Sequence, residues 1–189
     1  MRSRGLIVVV IALLGAGCAT RSSNSSTQAS NATPLILEKN QGERRITRGW
    51  PGHPYPGAPF LLKVDPRNGG SAHLVLGTED LGPGEAISPH RHPNADEILL
   101  LETGTTRVQV GEQTREVHGG ATIFIPANTV VSATNIGKDP VSLVFIFSAP
   151  GFEEFMRESS VRQGEKNVAL SKDEDDALQR KHAHSVVYQ

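Results

Sequence analysis

The chain has 189 residues, room for one domain with a sizeable core plus some unstructured length. Lysine plus arginine (19) nearly balance aspartate plus glutamate (20), and the one dense charge run, Lys172 to Asp176, is acidic. That pattern carries no electrostatic footprint for DNA or RNA, and the single cysteine excludes an internal disulfide.

The N-terminus reads as an export signal. Met1 to Arg4 is a short positive region, and the apolar run Gly5 to Leu14 is too short to span a bilayer as a helix. Gly15-Ala16-Gly17 then lead to Cys18, an arrangement that resembles a bacterial lipobox, although Gly15 stands where that box usually has the leucine found here at Leu14. The alternative is an ordinary cleaved signal with an incidental cysteine. The resemblance implies a signal peptide over 1–17, lipidation of Cys18, and a lipid anchor holding an exported protein at the bacterial cell envelope, facing the periplasm or the exterior; two or more acyl chains give stable attachment. Cleavage would remove Arg2 and Arg4 and take the net charge from −1 to −3. Residues 18–34 are rich in Ser, Thr, Asn and Ala, cannot bury enough apolar surface to fold, and read as a flexible tether.

Residues 35–58 read as an extended lead-in, because the prolines of the stretch Trp50 to Pro59 forbid a regular helix. Trp50 and Tyr55 are expected to pack on the outside of the domain. From Pro59 onward, short apolar or alternating runs are separated by turn residues, as in antiparallel sandwiches and barrels. Expected strands are Phe60 to Val64, Ala72 to Leu81, Glu97 to Thr103, Thr106 to Val110, Thr114 to Val117, Ala121 to Ile125, Val130 to Asn135 and Val141 to Phe147. Gly111-Glu112 fits a two-residue hairpin turn in which glycine takes the positive φ. The expectation is an all-β, antiparallel barrel over 59–150. A helical segment over 151–189 follows: Phe152, Phe155 and Met156 form one apolar stripe, and Ser171 with Glu174 makes a capping box before a helix to about His182. Both helices are expected on the barrel's exterior.

The chemistry concentrates in Pro89 to Glu97. On a strand, alternate residues share a face, so His90 and His92 point the same way, and the turn through Pro93 to Ala95 brings Glu97 beside them. Two imidazoles and a carboxylate form a facial set that holds a divalent metal (Fe, Mn, Ni or Zn) and leaves positions open for substrate. A pair of surface histidines is the alternative reading of the same spacing.

The wider frame carries a resemblance. Gly84, five residues, His90-Arg91-His92, four residues, Glu97, six residues and Gly104 match the first motif of the cupin superfamily; Gly120, five residues, Pro126 and then Asn135 match the frame of the second. Within that superfamily the chain resembles small single-domain, quercetin-dioxygenase-like cupins, in which a helix like that at Pro150-Gly151-Phe152-Glu153 follows the barrel. The resemblance implies a conical double-stranded β-helix (jelly roll) with an interior site, and commonly a homodimer. The chain departs from the second motif twice. Asn128 replaces a glycine, a mild change because asparagine tolerates left-handed turns. Val131 replaces the histidine that usually supplies the fourth ligand, and Ala133 and Asn135 are expected to share its face.

Two functions follow. The first is a metal-dependent, dioxygenase-like enzyme on a small organic substrate, with Glu97 as ligand or base. The second is a non-catalytic module binding a small molecule in a barrel whose metal site has decayed at Val131. His73 is a remote substitute for the missing ligand, whereas Ser132 is expected to face outward and His118 lies across the Gly119-Gly120 turn. His182 and His184 are expected in a solvated tail, and Asp96 on the outer face in a turn contact.

Overall fold

The computed structural model describes residues 32–49 and 59–189. The expected signal sequence, Cys18, most of the expected tether, Trp50 and Tyr55 lie outside the described residues. Twelve strands and two α-helices follow in chain order: β1 Glu43–Thr47, β2 Pro59–Val64, β3 Val75–Leu81, β4 Ala86–Arg91, β5 Glu97–Thr103, β6 Thr105–Val110, β7 Gln113–His118, β8 Thr122–Ile125, β9 Val131–Asn135, β10 Val141–Phe147, α1 Phe152–Glu158, β11 Ser160–Arg162, α2 Lys172–His182 and β12 Val187–Tyr188.

All strand pairs are antiparallel and form two sheets, of order β11-β1-β2-β3-β10-β5-β8 and β12-β4-β9-β6-β7. Alternation decides which residues face inward. In β10 the residues Val141, Leu143, Phe145 and Phe147 are buried while those between them are half-buried, and β9 repeats the pattern with Val131, Ala133 and Asn135. These inner faces meet in one apolar core that includes Leu62, Val75, Leu99, Ile125, Phe145 and Phe147. The expected all-β jelly-roll architecture is the observed one.

Two glycines let the sheets close. A Cβ on Gly77 would lie 2.2 Å from the Phe145 ring and 2.4 Å from the Leu61 carbonyl oxygen, so the ring packs directly over bare β3 backbone. Gly104 joins β5 to β6 at φ 87°, where a side chain would also press on Val141. The β6–β7 hairpin turns on Gly111 at φ 56° and Glu112, and Asn128 takes φ 64° in its left-handed turn, both as the sequence suggested.

The sheets reach beyond the expected barrel limits. Strand β1, inside the expected lead-in, pairs with both β2 and β11, and β12 at the chain's end pairs with β4. The expected strand from Ala72 begins only at Val75, and Leu74 is exposed. The expectation that both helices pack on the exterior is corrected for α1: Phe152, Phe155 and Met156 line the interior cavity, so α1 closes the barrel's mouth. A buried ion-pair network pins it there. Arg157 donates to Asp65 (2.8 Å) and Glu43 (2.8 Å), and Arg45 donates to the Arg157 carbonyl (2.7 Å) and to Glu43 (2.7 Å). Helix α2 carries the capping box on Ser171 and Glu174, as its sequence suggested.

Candidate metal centre

Strand β4 delivers His90 near its end and His92 follows just past it, both buried, with the half-buried Arg91 between them turned away. Pro89 lies where the β4–β9 register shifts, between Ile87 and His90, which is where a strand accepts a residue with no N–H. The turn after His92 is fixed by Asp96, whose carboxylate accepts from the Ala127 N–H (2.8 Å) on the outer side. Strand β5 then begins with Glu97 pointing inward, and its neighbours across the sheet are Phe147 and Ile125.

The structure brings His90, His92 and Glu97 together, with one ligand-type atom from each lying within 4.8 Å of the others. The imidazole Nδ1 atoms sit 2.8 Å from the carbonyl oxygens of Ser88 and Ser185. A carbonyl only accepts, so each Nδ1 carries the proton and each Nε2 turns a lone pair inward. Those two Nε2 atoms are 3.1 Å apart. Two facing lone pairs repel at that distance unless a proton or cation joins them. Burial holds His90 below its ordinary value and, with His90 close by, His92 down at about 3, so a joining proton is disfavoured. Two imidazoles bound to one ion at the usual ~2.0–2.1 Å would themselves sit about 3 Å apart.

Glu97 completes the set. Its Oε2 is 3.7 Å from His92 Nε2 and is buried with no hydrogen-bond partner among the described residues. Burial, reinforced by Glu79, pushes the carboxyl up to about 8, so with His92 neutral the two do not form an ion pair. An orphaned carboxyl oxygen beside two inward lone pairs is the donor chemistry a divalent cation satisfies, and the residues present fit one.

Among the described residues no third imidazole joins them as a fourth ligand. Val131 lies directly opposite His90 in the sheet, 1% exposed and part of the apolar core. His73 is exposed, and His118 is exposed and faces Thr105, so neither reaches the site. Asn135 is a structural residue, bridging the carbonyls of Leu81 and Asp139. The expectation for His182 is corrected: it is 4% exposed, packed edge-on against Phe155 and 3.4 Å from Glu158, because α2 folds back on α1.

The cavity in front of the cluster encloses about 100 Å³. Phe147 and Phe152 contact the His92 ring, and Tyr188 of β12 lies 5.5 Å from the His90 ring, its partner across the strand pair. Sequence reasoning missed Tyr188, the Ser185 carbonyl and Glu79. Of these only Glu79 left a signal: in Val75, Gly77, Glu79 and Leu81 it is the one carboxylate on an inward face. Burial, with Glu85 and Asp80 nearby, pushes it up to about 7.

Residues 77–147 match the family described as the cupin domain. Over this stretch the chain resembles a cupin domain. The fold of the solved structure of KdgF from a Halomonas species is similar, with a TM-score of 0.51 at 15% identity over 64% of this chain and 99% of that one. Among curated relatives, the uncharacterized protein YrkC of Bacillus subtilis is 32% identical over 41% of this chain and 45% of its own length. The mannose-1-phosphate guanylyltransferase RfbM of Salmonella typhimurium is 32% identical over 48% of this chain and 18% of its own length. The chain thus spans less than half the length of either relative.

Proposed function

We propose that this chain is an envelope-anchored cupin-domain protein that holds a divalent metal through His90, His92 and Glu97 and acts on a small organic substrate as a dioxygenase-like oxidoreductase. One observation carries the metal reading: two inward Nε2 lone pairs 3.1 Å apart beside a buried, partnerless Glu97 oxygen. When bound, the metal, one of Fe, Mn, Ni or Zn, supplies Lewis-acid or redox chemistry at positions the three residues leave open. The remaining work belongs to the protein. The Ser88 and Ser185 carbonyls fix both imidazole tautomers. Phe147, Phe152 and Tyr188 exclude water from the reacting face. Glu97 offers its second oxygen to hold or take a substrate proton.

The lipobox-like approach to Cys18 supports the anchor, and the resemblance to small cupins supports a homodimer. A second reading, a small-molecule-binding module without catalysis, is favoured by one feature, the apolar Val131 where the usual fourth ligand would stand. Elemental analysis of protein purified without chelator tests the metal reading. Near-stoichiometric metal that is lost in His90→Ala is expected; substoichiometric metal unchanged by that substitution would sink it. Metal without oxygen uptake on any enolic or phenolic substrate would leave the binding module as the function.

A further inference from the structure

The cavity has two polar ends. At one end stands the His90, His92 and Glu97 cluster, in which Glu97 is level across its sheet with Phe147 and Val75. At the other is Glu79, on the same inward face of β3 as Val75 and four residues along it, about 13 Å at the usual strand rise. Glu79 stands level with Phe60 on one side and Leu143 on the other, and it lines the same cavity as Glu97.

Charge and shape at the Glu79 end select for one kind of ligand group. Among the described residues no lysine or arginine lines the cavity, whereas Glu79 and Glu85 both do. A carboxylate or phosphate placed there would meet like charge with nothing to offset it. The walls between the two ends are aromatic: Phe60, Phe145 and Phe147 from the sheet, and Phe152, Phe155 and Tyr188 from the cap. Ring faces in a desolvated space attract cations, and methylated ammonium or sulfonium groups most readily, since they lose little hydration. A half-buried carboxyl is stabilised in its charged form by the same group.

We propose that the cavity is a two-ended site for a small ligand whose near end is an oxygen donor and whose far end is an ammonium or methylated onium group held by Glu79 and the aromatic walls. The near end rests on the metal reading above; the far end does not. Glu79 near pH 7 is balanced between its two protonation states, which lets the arriving cation draw it into the charged one.

Calorimetry on the zinc-loaded protein tests this with three probes of matched length. These are 4-aminobutyrate, valerate and glutarate, which share a carboxylate and differ at the far end as ammonium, methyl and carboxylate. The expected order places 4-aminobutyrate about tenfold or more ahead of glutarate, with valerate between. Glu79→Gln should bring the three within about twofold of one another, and Glu79→Asp should keep part of the preference. Equal binding, no binding, or a preference for glutarate overturns the proposal, and the wild-type series alone decides this if a variant does not fold. Metal content is measured on the same samples. If no metal is taken up, the metal reading has failed, and n-butylammonium against butyrate on the metal-free protein then tests the far end. Preference for the amine supports it, while equal or absent binding overturns it.

Discussion

His90, His92 and Glu97 lie within eight consecutive residues, whereas the groups that enclose and orient them come from both ends of the described chain: Glu43 and Arg45, the helix from Phe152 to Glu158, and the last turn and strand from His182 to Tyr188. The two regions also differ in what holds them. The ligand turn is a product of local backbone geometry, a bulged strand, a proline and the Asp96 contact to Ala127. The cap is held by charges and strand pairs that join residues more than ninety positions apart in sequence, such as Arg157 with Asp65 and Ser185 with His92. Ligand identity is therefore a local property of this chain, and ligand orientation and dryness are long-range ones. Damage to the cap should impair the site without touching a ligand.

The largest expected effect comes from Arg157, whose guanidinium is 6% exposed and pairs with an Asp65 side chain only 1% exposed. Arg157→Met should leave that carboxylate buried without its cation and cost about 3–5 kcal/mol of stability, read by urea unfolding. Asp65→Asn added to it should recover part of the loss, because the uncompensated charge is gone. Next is the chain's end. Removal of Ser185 to Gln189 takes away the carbonyl that orients His92 and the strand beside His90, and should weaken metal affinity about 10–100-fold in chelator competition. Unchanged affinity would mean that the ligand turn orients itself, and the contrast between the two regions would fall.

The same contrast explains what could be read in the sequence. Strands β5 and β10 run from Glu97 to Thr103 and Val141 to Phe147, as their alternation suggested, because each pairs on both sides and buries one face, up to Leu101 in β5 and throughout β10. The clustering of His90, His92 and Glu97 was legible for a related reason: they are spaced by the pleat and one turn. Strands β1, β11 and β12 were not legible. Glu43–Thr47 is mostly charged, and Ser160–Arg162 and Val187–Tyr188 are too short to show a period; each is a strand only because its partner is there. The apolar stripe of α1 was visible, but a stripe does not say which surface it covers. His182 misled because spacing of two on a helix tells that His182 and His184 do not face each other, not whether either is buried.

Val131→His asks whether a third imidazole can be added from a region that now contributes only packing. Residue 131 is level with His90 and buried, so the new ring should point at the cluster and raise metal affinity. The larger side chain should cost about 1–3 kcal/mol in the metal-free protein, since the pocket around Val131 is already filled. Metal affinity measured by chelator competition, with stability measured in the presence and absence of metal, separates the two. No gain in affinity would mean that residue 131 does not face the ligands.

The smallest expected effect isolates the carboxyl that belongs to neither region. Glu79 has an ordinary value of 4.5 and is pushed up to about 7 by burial and by Glu85 and Asp80, so the folded protein holds its proton more tightly than the unfolded chain does. Its contribution to stability is therefore full below about pH 4.5, is lost as pH rises towards 7, and stays lost above that. Glu79→Gln keeps the neutral shape and removes the titration. In metal-free protein the wild-type melting temperature should fall between pH 5 and 7 more than the variant's does, by a few degrees at about 2–4 °C per kcal/mol for a chain of this size. Glu97, which rises from 4.5 to about 8 chiefly through burial and less through Glu79, remains in both proteins and supplies the larger part of the slope they share, while loss of Glu79 lowers its value and flattens the variant further. Identical slopes would mean that Glu79 is solvated in the folded state, and a solvated carboxylate there would remove the electrostatic ground for a cation at that end of the cavity.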